Sequence, residues 1–167
     1  MSLLVAAVGA LLAAIVESSV FTQLPVGSVK PDLVFALTMA VAMVMGFEDG
    51  MVMAFVGGLM LDLLLAERPI GASILTLLVV TGICLLVARA TAPPRLVVIA
   101  VTTFALSFVY QALLLVLLAL TAGVAIASWP LPSFAVIGVL NAAIATLTAW
   151  VLRALLLRFG PTERADW

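Results

Sequence analysis

Three carboxylates border or interrupt the long apolar stretches of this 167-residue chain, and they are its best candidates for chemistry. Glu17 follows the apolar segment 3–16, Asp32 opens a second apolar segment, and Asp62 lies near the end of a third. A carboxylate in apolar surroundings is costly unless it faces protein or water, so each acid needs a partner or a task. Asp62, the most enclosed by apolar sequence, is the first to consider.

Asp62 ends a ridge of small residues. Gly50, Ala54, Gly58 and Asp62 recur every fourth residue, so they share one narrow face of a helix, and Gly57 lies beside them. Small residues on a membrane helix let neighbouring backbones approach closely. The spacing therefore predicts that other helices pack against this ridge.

For Asp62 itself, three interpretations stay open. It could cap a neighbouring helix or pair with Arg68 or Lys30, it could bind a substrate or a proton, or it could shape a partner-binding surface.

The other acids have structural explanations close at hand. Pro31 and Asp32 open a helix, where a carboxylate meets free N–H groups and the positive end of the dipole, and Asp49 is predicted to cap the next helix. Glu17 is expected either to extend outward to water or to pair with Lys30 across the loop.

Two further patterns predict contacts between helices. Thr103, Ser107 and Gln111 form a polar stripe with Tyr110 alongside, and Asn141 is a similar isolated polar residue. A second small-residue face repeats every fourth position at Gly138, Ala142 and Thr146.

Little in the sequence supports catalysis. It has no histidine, its single cysteine is Cys84, and neither a Gly-x-Ser-x-Gly turn nor a phosphate-binding loop occurs. We therefore expect no enzyme, no metal site and no cofactor, and the net charge of −1 gives no indication of nucleic-acid binding.

Composition indicates a polytopic membrane protein, because 66% of the residues are hydrophobic and only 9% are charged. The prediction is one all-α transmembrane domain, residues 1–167, with six spans. The spans are expected at about 3–21, 32–46, 50–66, 72–88, 96–120 and 133–157. Spans two and three are short, so a re-entrant hairpin is the alternative, although it would bury Glu48 and Asp49 in the bilayer centre.

Basic residues set the predicted orientation. Lys30 and Arg68 fall on one side of a six-span chain, and five arginines fall on the other: Arg89, Arg95, Arg153, Arg158 and Arg164. Both termini should therefore be cytoplasmic, which places Glu17, Asp32 and Asp62 in the outer half of the membrane.

A set of motifs between about residues 15 and 85 resembles the rod shape-determining protein MreD family. These are the segment 17–33 with its Pro-Asp-Leu, Gly46, Gly50, the Gly-Leu-Met-Leu-Asp-Leu run within 57–63, and 69–73 with its glycine, Gly71. The resemblance adds Glu17, Pro31 and Gly71 to the ridge as motif residues, although this family typically has a neutral polar residue, such as Gln, where this chain has Glu17.

The resemblance implies a scaffold of the bacterial cytoplasmic (inner) membrane that supports cell elongation and peptidoglycan synthesis without chemistry. Its expected partners are membrane lipids and MreC, and through MreC also RodA, the transpeptidase partner of RodA, and MreB. The family fold is similar to the S-components of energy-coupling-factor transporters, so a small-molecule binder is the alternative. An ion-coupled carrier is the third hypothesis; it gains from the buried acids and loses from the absence of an internal repeat.

Overall fold

The computed structural model of the protein describes residues 3–20, 30–65, 69–91, 95–122 and 131–159. Within these ranges the chain forms six α-helices and no strand, so the all-helical prediction is confirmed. The helices are α1 (Leu3–Val20), α2 (Leu33–Met45), α3 (Phe47–Leu64), α4 (Ala72–Ala90), α5 (Leu96–Ala122) and α6 (Leu131–Phe159). Some residues used in the predictions lie outside the described ranges. They are the predicted ends of spans one and three, Phe21 and Ala66, and the basic residues Arg68 and Arg164.

Three helices, α4, α5 and α6, are long and apolar enough to cross a membrane, which indicates a membrane protein. Helices α1 and α2 are apolar but shorter. Helix α3 differs from these helices in composition, because it contains three carboxylates, Glu48, Asp49 and Asp62. Each helix begins and ends within three residues of a predicted span wherever both bounds are described.

A single residue, Gly46, joins α2 to α3. Its φ of 97° lies in the left-handed region that favours glycine, and the chain therefore reverses there between Met45 and Phe47. The predicted spans two and three left residues 47–49 between them, but these residues belong to α3. The prediction that Asp49 caps α3 is wrong, because Gly46 occupies the N-cap position. The two acids in this segment instead lie in the first turn of the helix, where the positive end of the dipole favours them.

Helix α2 is the centre of the bundle. It contacts each of the other five helices, and nine of its 13 residues are buried. Phe35 of α2 stacks on Tyr110 of α5 with ring centroids 4.9 Å apart. The outer helices pack as neighbours in the order α1, α3, α4, α5 and α6, and within the described ranges the backbones of α1 and α6 do not meet. All the sites described below lie at contacts with α2 or between its neighbours.

Candidate functional site

Asp62 caps the N-terminus of α4. The N–H groups of Gly71 and Ile74 donate to its Oδ2 at 2.8 and 3.4 Å, and the N–H of Ser73 donates to Oδ1 at 2.9 Å. The carboxylate is 3% exposed, and it lies at the positive end of the α4 dipole. Of the three interpretations left open by the sequence, the structure shows the helix cap.

The turn before α4 is shaped to receive this carboxylate. Gly71 has a φ of 101° and occupies the N-cap position, where it supplies a backbone N–H but no side chain. Because a side chain from α3 caps α4, the first turn of α4 is fixed to the last turn of α3. Asp62 and Gly71 therefore act together, as one helix-to-helix clamp.

The ridge that leads to Asp62 is covered by the chain's own helices. A Cβ atom added at Gly50 would lie 2.8 Å from the Cα of Ala42 in α2, and one added at Gly58 would lie 2.7 Å from the Cα of Ile74 in α4. Ala54, between them, is fully buried. The ridge thus packs α3 against α2 on one end and α4 on the other, and it is not an open surface.

Gly57 lies at a separate close contact between helices, beside the ridge. A Cβ atom added there would lie 2.5 Å from Cγ1 of Val34 in α2 and 3.8 Å from the Cβ of Ala10 in α1. Gly57 is therefore a point at which α1, α2 and α3 approach one another closely.

The N-terminus of α2 is capped by Glu17 of α1. Oε2 of Glu17 accepts a hydrogen bond of 2.7 Å from the N–H of Val34, the second residue of α2. Asp32 occupies the N-cap position, as predicted, and follows the half-buried Pro31, but its side chain makes no capping hydrogen bond to α2. The sequence did not predict this role of Glu17, whose expected surroundings were water or Lys30.

Asn141 of α6 ties the same end of α2 to α5. Its Oδ1 accepts from the N–H of Asp32 at 2.9 Å, and its Nδ2 donates to Ser107 Oγ at 3.2 Å and lies 3.5 Å from Asp32 Oδ2. Asn141 and Ser107 are both fully buried. The three helices α2, α5 and α6 are therefore joined by one polar side chain.

No protein-family model, curated protein or solved structure matches this chain.

Only one of the three polar side chains in the stripe on α5 has a hydrogen-bond partner in the described part of the chain. Ser107 is bonded to Asn141, whereas Thr103 and Gln111 have no hydrogen-bond partner in the described part of the chain, although both are buried. The prediction that this stripe bonds to neighbouring helices therefore applies to Ser107 and not to the other two.

The second small-residue face lies between α5 and α6. Gly138 is packed by the ring of Phe104, whose Cδ2 would lie 3.1 Å from an added Cβ. Ala142 and Thr146 line a shallow apolar groove of about 480 Å³ with Trp150 at its edge. This face is therefore closed by α5 at Gly138 and open at Ala142 and Thr146.

The candidate site residues thus fall into two structural groups. Gly50, Ala54, Gly58, Asp62 and Gly71 join α3 to α2 and α4, while Glu17, Asp32 and Asn141 hold the N-terminus of α2. Among the described residues, no three acidic or cysteine side chains come together where they could hold a metal ion.

Proposed function

We propose that this protein is a non-enzymatic scaffold of the MreD type in the bacterial cytoplasmic membrane. It crosses the membrane six times with both termini in the cytoplasm, binds MreC, and through MreC supports RodA, its transpeptidase partner and MreB in cell elongation. The proposal combines the sequence resemblance in residues 15–85 with one structural observation, the cap formed by Asp62.

That observation carries the proposal because it gives the most enclosed acid a structural role. Both oxygens of Asp62 accept backbone hydrogen bonds, so its charge is used to hold α4 in place. A carrier acid would instead need to exchange its proton or ion during each cycle. The motif residues on α3 therefore join α2, α3 and α4 through close backbone contacts and the Asp62 cap, which supports a scaffold role.

The proposed crossing can be tested by cysteine labelling in a Cys84→Ala background. Lys30, Glu48 and Arg89 are exposed side chains on three different connections or helix ends, so each can carry a single cysteine. In spheroplasts, a membrane-impermeant maleimide should label Lys30→Cys from outside, and it should label Glu48→Cys and Arg89→Cys only after permeabilisation. The re-entrant hairpin predicts that Glu48→Cys stays unlabelled under both conditions. Labelling of Lys30→Cys and Arg89→Cys from the same side would exclude six crossings.

Partner binding is tested by co-purification. The tagged full chain is co-expressed with the MreC-like protein of the same bacterium, and with an unrelated single-span membrane protein as the control. We expect the MreC-like protein, and not the control, to elute with the chain from mild detergent, and the chain to restore rod shape in a strain depleted of its own copy. A chain that is abundant in the membrane but neither retains the MreC-like protein nor restores shape would contradict the proposal.

A further inference from the structure

The shallow groove between α5 and α6 is an open apolar surface that the scaffold role does not explain. Its volume is about 480 Å³, and its lining includes the small residues Ala100, Ala142, Ala143 and Thr146 with the larger Leu147 and Trp150 beside them. The Thr146 hydroxyl donates to the carbonyl oxygen of Ala142 at 2.7 Å, so it is already satisfied within α6. Apart from the Trp150 indole N–H, the groove therefore offers an occupant only apolar contact.

Helices α5 and α6 run antiparallel along this groove, which defines its two ends. Phe104 packs on Gly138 at one level, while Leu96, earlier in α5, lines the groove together with Trp150, later in α6. From Ala142 to Trp150 the groove follows α6 for about 12 Å. Its Trp150 end therefore lies beside the first turn of α5.

Positive charge is concentrated at the Trp150 end. Arg95 immediately precedes Leu96, and its carbonyl oxygen accepts a hydrogen bond of 3.1 Å from the N–H of Ile99, which places Arg95 at the start of α5. The Arg95 side chain is exposed, and within the described ranges no carboxylate pairs with it. The first turn of α5 contains no acid, so the positive end of its dipole adds to this charge. On α6, Arg153 follows Trp150 by three residues and therefore lies on the same face.

No acid on the two groove-forming helices offsets these arginines. Neither α5 nor α6 contains Asp or Glu, and α3, which carries three carboxylates, makes no backbone contact with either helix. Asp32 is held by Asn141, which lies about 18 Å along α6 from Arg153. Because Arg153 also takes part in another interaction, Arg95 is expected to be the main partner of an anion.

The size of the groove favours a hydrocarbon chain over a partner helix. A volume of about 480 Å³ along about 12 Å gives a mean cross-section of about 40 Å², about half that of an α-helix with its side chains. A helix would therefore rest on Leu147 and Trp150, which are 63% and 58% exposed, rather than enter the groove. An apolar groove that ends at arginine matches a molecule with a hydrocarbon chain and an anionic head.

We propose that this groove seats an acyl chain of an anionic phospholipid, whose phosphate is bound at the Trp150 end by Arg95, with Arg153 and the Trp150 indole N–H in support. In the orientation proposed above, this lipid belongs to the cytoplasmic leaflet, and that placement alone rests on the proposed function. The preference for an anionic lipid requires neither the orientation nor MreC, so the site and the scaffold role can fail separately.

The lipid preference is measured by quenching of Trp150 fluorescence in the full chain. Trp129→Phe and Trp167→Phe leave Trp150 as the single tryptophan. The protein is reconstituted in phosphatidylcholine vesicles with increasing fractions of phosphatidylglycerol, and in each series one of the two lipids carries dibrominated acyl chains. Quenching should show that phosphatidylglycerol is preferred beside Trp150 by about fivefold to tenfold. A ratio of about one, or quenching by neither lipid, would overturn the proposal.

Matched variants separate a seated lipid from general attraction to positive charge. Arg95→Gln should reduce the preference to about twofold, and adding Arg153→Gln should bring it to about one. Ala143→Phe, at an exposed position, should also bring it toward one, because the ring fills the groove while both arginines remain. Trp150→Phe with Leu120→Trp moves the probe to the exposed far end of α5, where the ratio should be about one.

Unfolding temperatures establish that each variant is folded before its ratio is compared. A preference that is unchanged by Arg95→Gln or by Ala143→Phe, or that is equally strong at position 120, would contradict the site. A partner helix would be the occupant instead if the chain alone showed no lipid preference and the co-reconstituted MreC-like protein shielded Trp150 from both brominated lipids. The same preference with and without that protein would support a lipid that stays bound in the complex.

Discussion

Replacing Gly58 with alanine is expected to destabilise the protein by about 1–3 kcal/mol, although alanine is normally the better helix residue. The added methyl group would lie 2.7 Å from the Cα of Ile74 and 2.9 Å from its backbone nitrogen. Backbone atoms cannot move aside as the end of a flexible side chain can, so α3 and α4 must separate. That separation also lengthens the hydrogen bonds from the start of α4 to Asp62, which lies one turn away on the same face.

Gly82 provides the matched control for this substitution. It lies in the middle of α4, and a Cβ added there would meet no described atom within 4 Å. Gly82→Ala should therefore leave stability unchanged or raise it by up to about 1 kcal/mol. Unfolding temperatures of both variants in the same detergent make the comparison. If Gly58→Ala were as stable as Gly82→Ala, the close approach of α3 to α4 would be refuted.

Removal of the Asp62 carboxylate is expected to have the larger effect. Asp62→Leu leaves three N–H groups at the start of α4 without their acceptor, and it places an apolar group against the positive end of the helix. The expected loss is about 3 kcal/mol or more, above the usual value for a single cap. The measurement is the free energy of unfolding in detergent, with abundance in the membrane as a second readout.

Asp62→Asn separates the cap from a proton carrier. Asparagine keeps one acceptor oxygen but turns an NH₂ group toward a backbone donor, so we expect an intermediate loss of about 1–2 kcal/mol and partial rescue of rod shape. Glu48→Gln, at an exposed acid in the first turn of the same helix, should change stability by less than about 0.5 kcal/mol. An Asp62→Asn variant that is as stable as the wild type yet wholly inactive would instead favour titration of Asp62 as its function.

The sequence predicted the helices and the face of α3 that packs, because both depend on local periodicity. The spacing of Gly50, Ala54 and Gly58 requires a close helix neighbour wherever that face is buried. It does not identify the neighbours, which are Ala42 in α2 and Ile74 in α4, because pairing depends on how the whole chain folds back. Gly46 was missed as the reversal point because the two acids after it are themselves typical of a turn.

The caps show the same limit more sharply. Asp32 has the residue type and position of an N-cap, yet Glu17 takes the Val34 N–H and Asn141 takes the Asp32 N–H. The capping residues lie 17 and 109 residues along the chain from the groups they bind, so local preference could not identify them. Both distant side chains are nonetheless polar residues next to or within long apolar segments, and that was the signal available.

The caps also set the order in which the helix N-termini can find their hydrogen-bond acceptors during synthesis. Helix α1 carries the carboxylate for α2, and α3 carries the carboxylate for α4, so each acceptor has already been synthesised when the helix that needs it leaves the ribosome. The pairs α1–α2 and α3–α4 can therefore form as hairpins in which these N-terminal amides are already bonded. The Asp32 amide must wait for Asn141 in α6, so the central helix acquires this restraint only after α1 to α5 have all been synthesised.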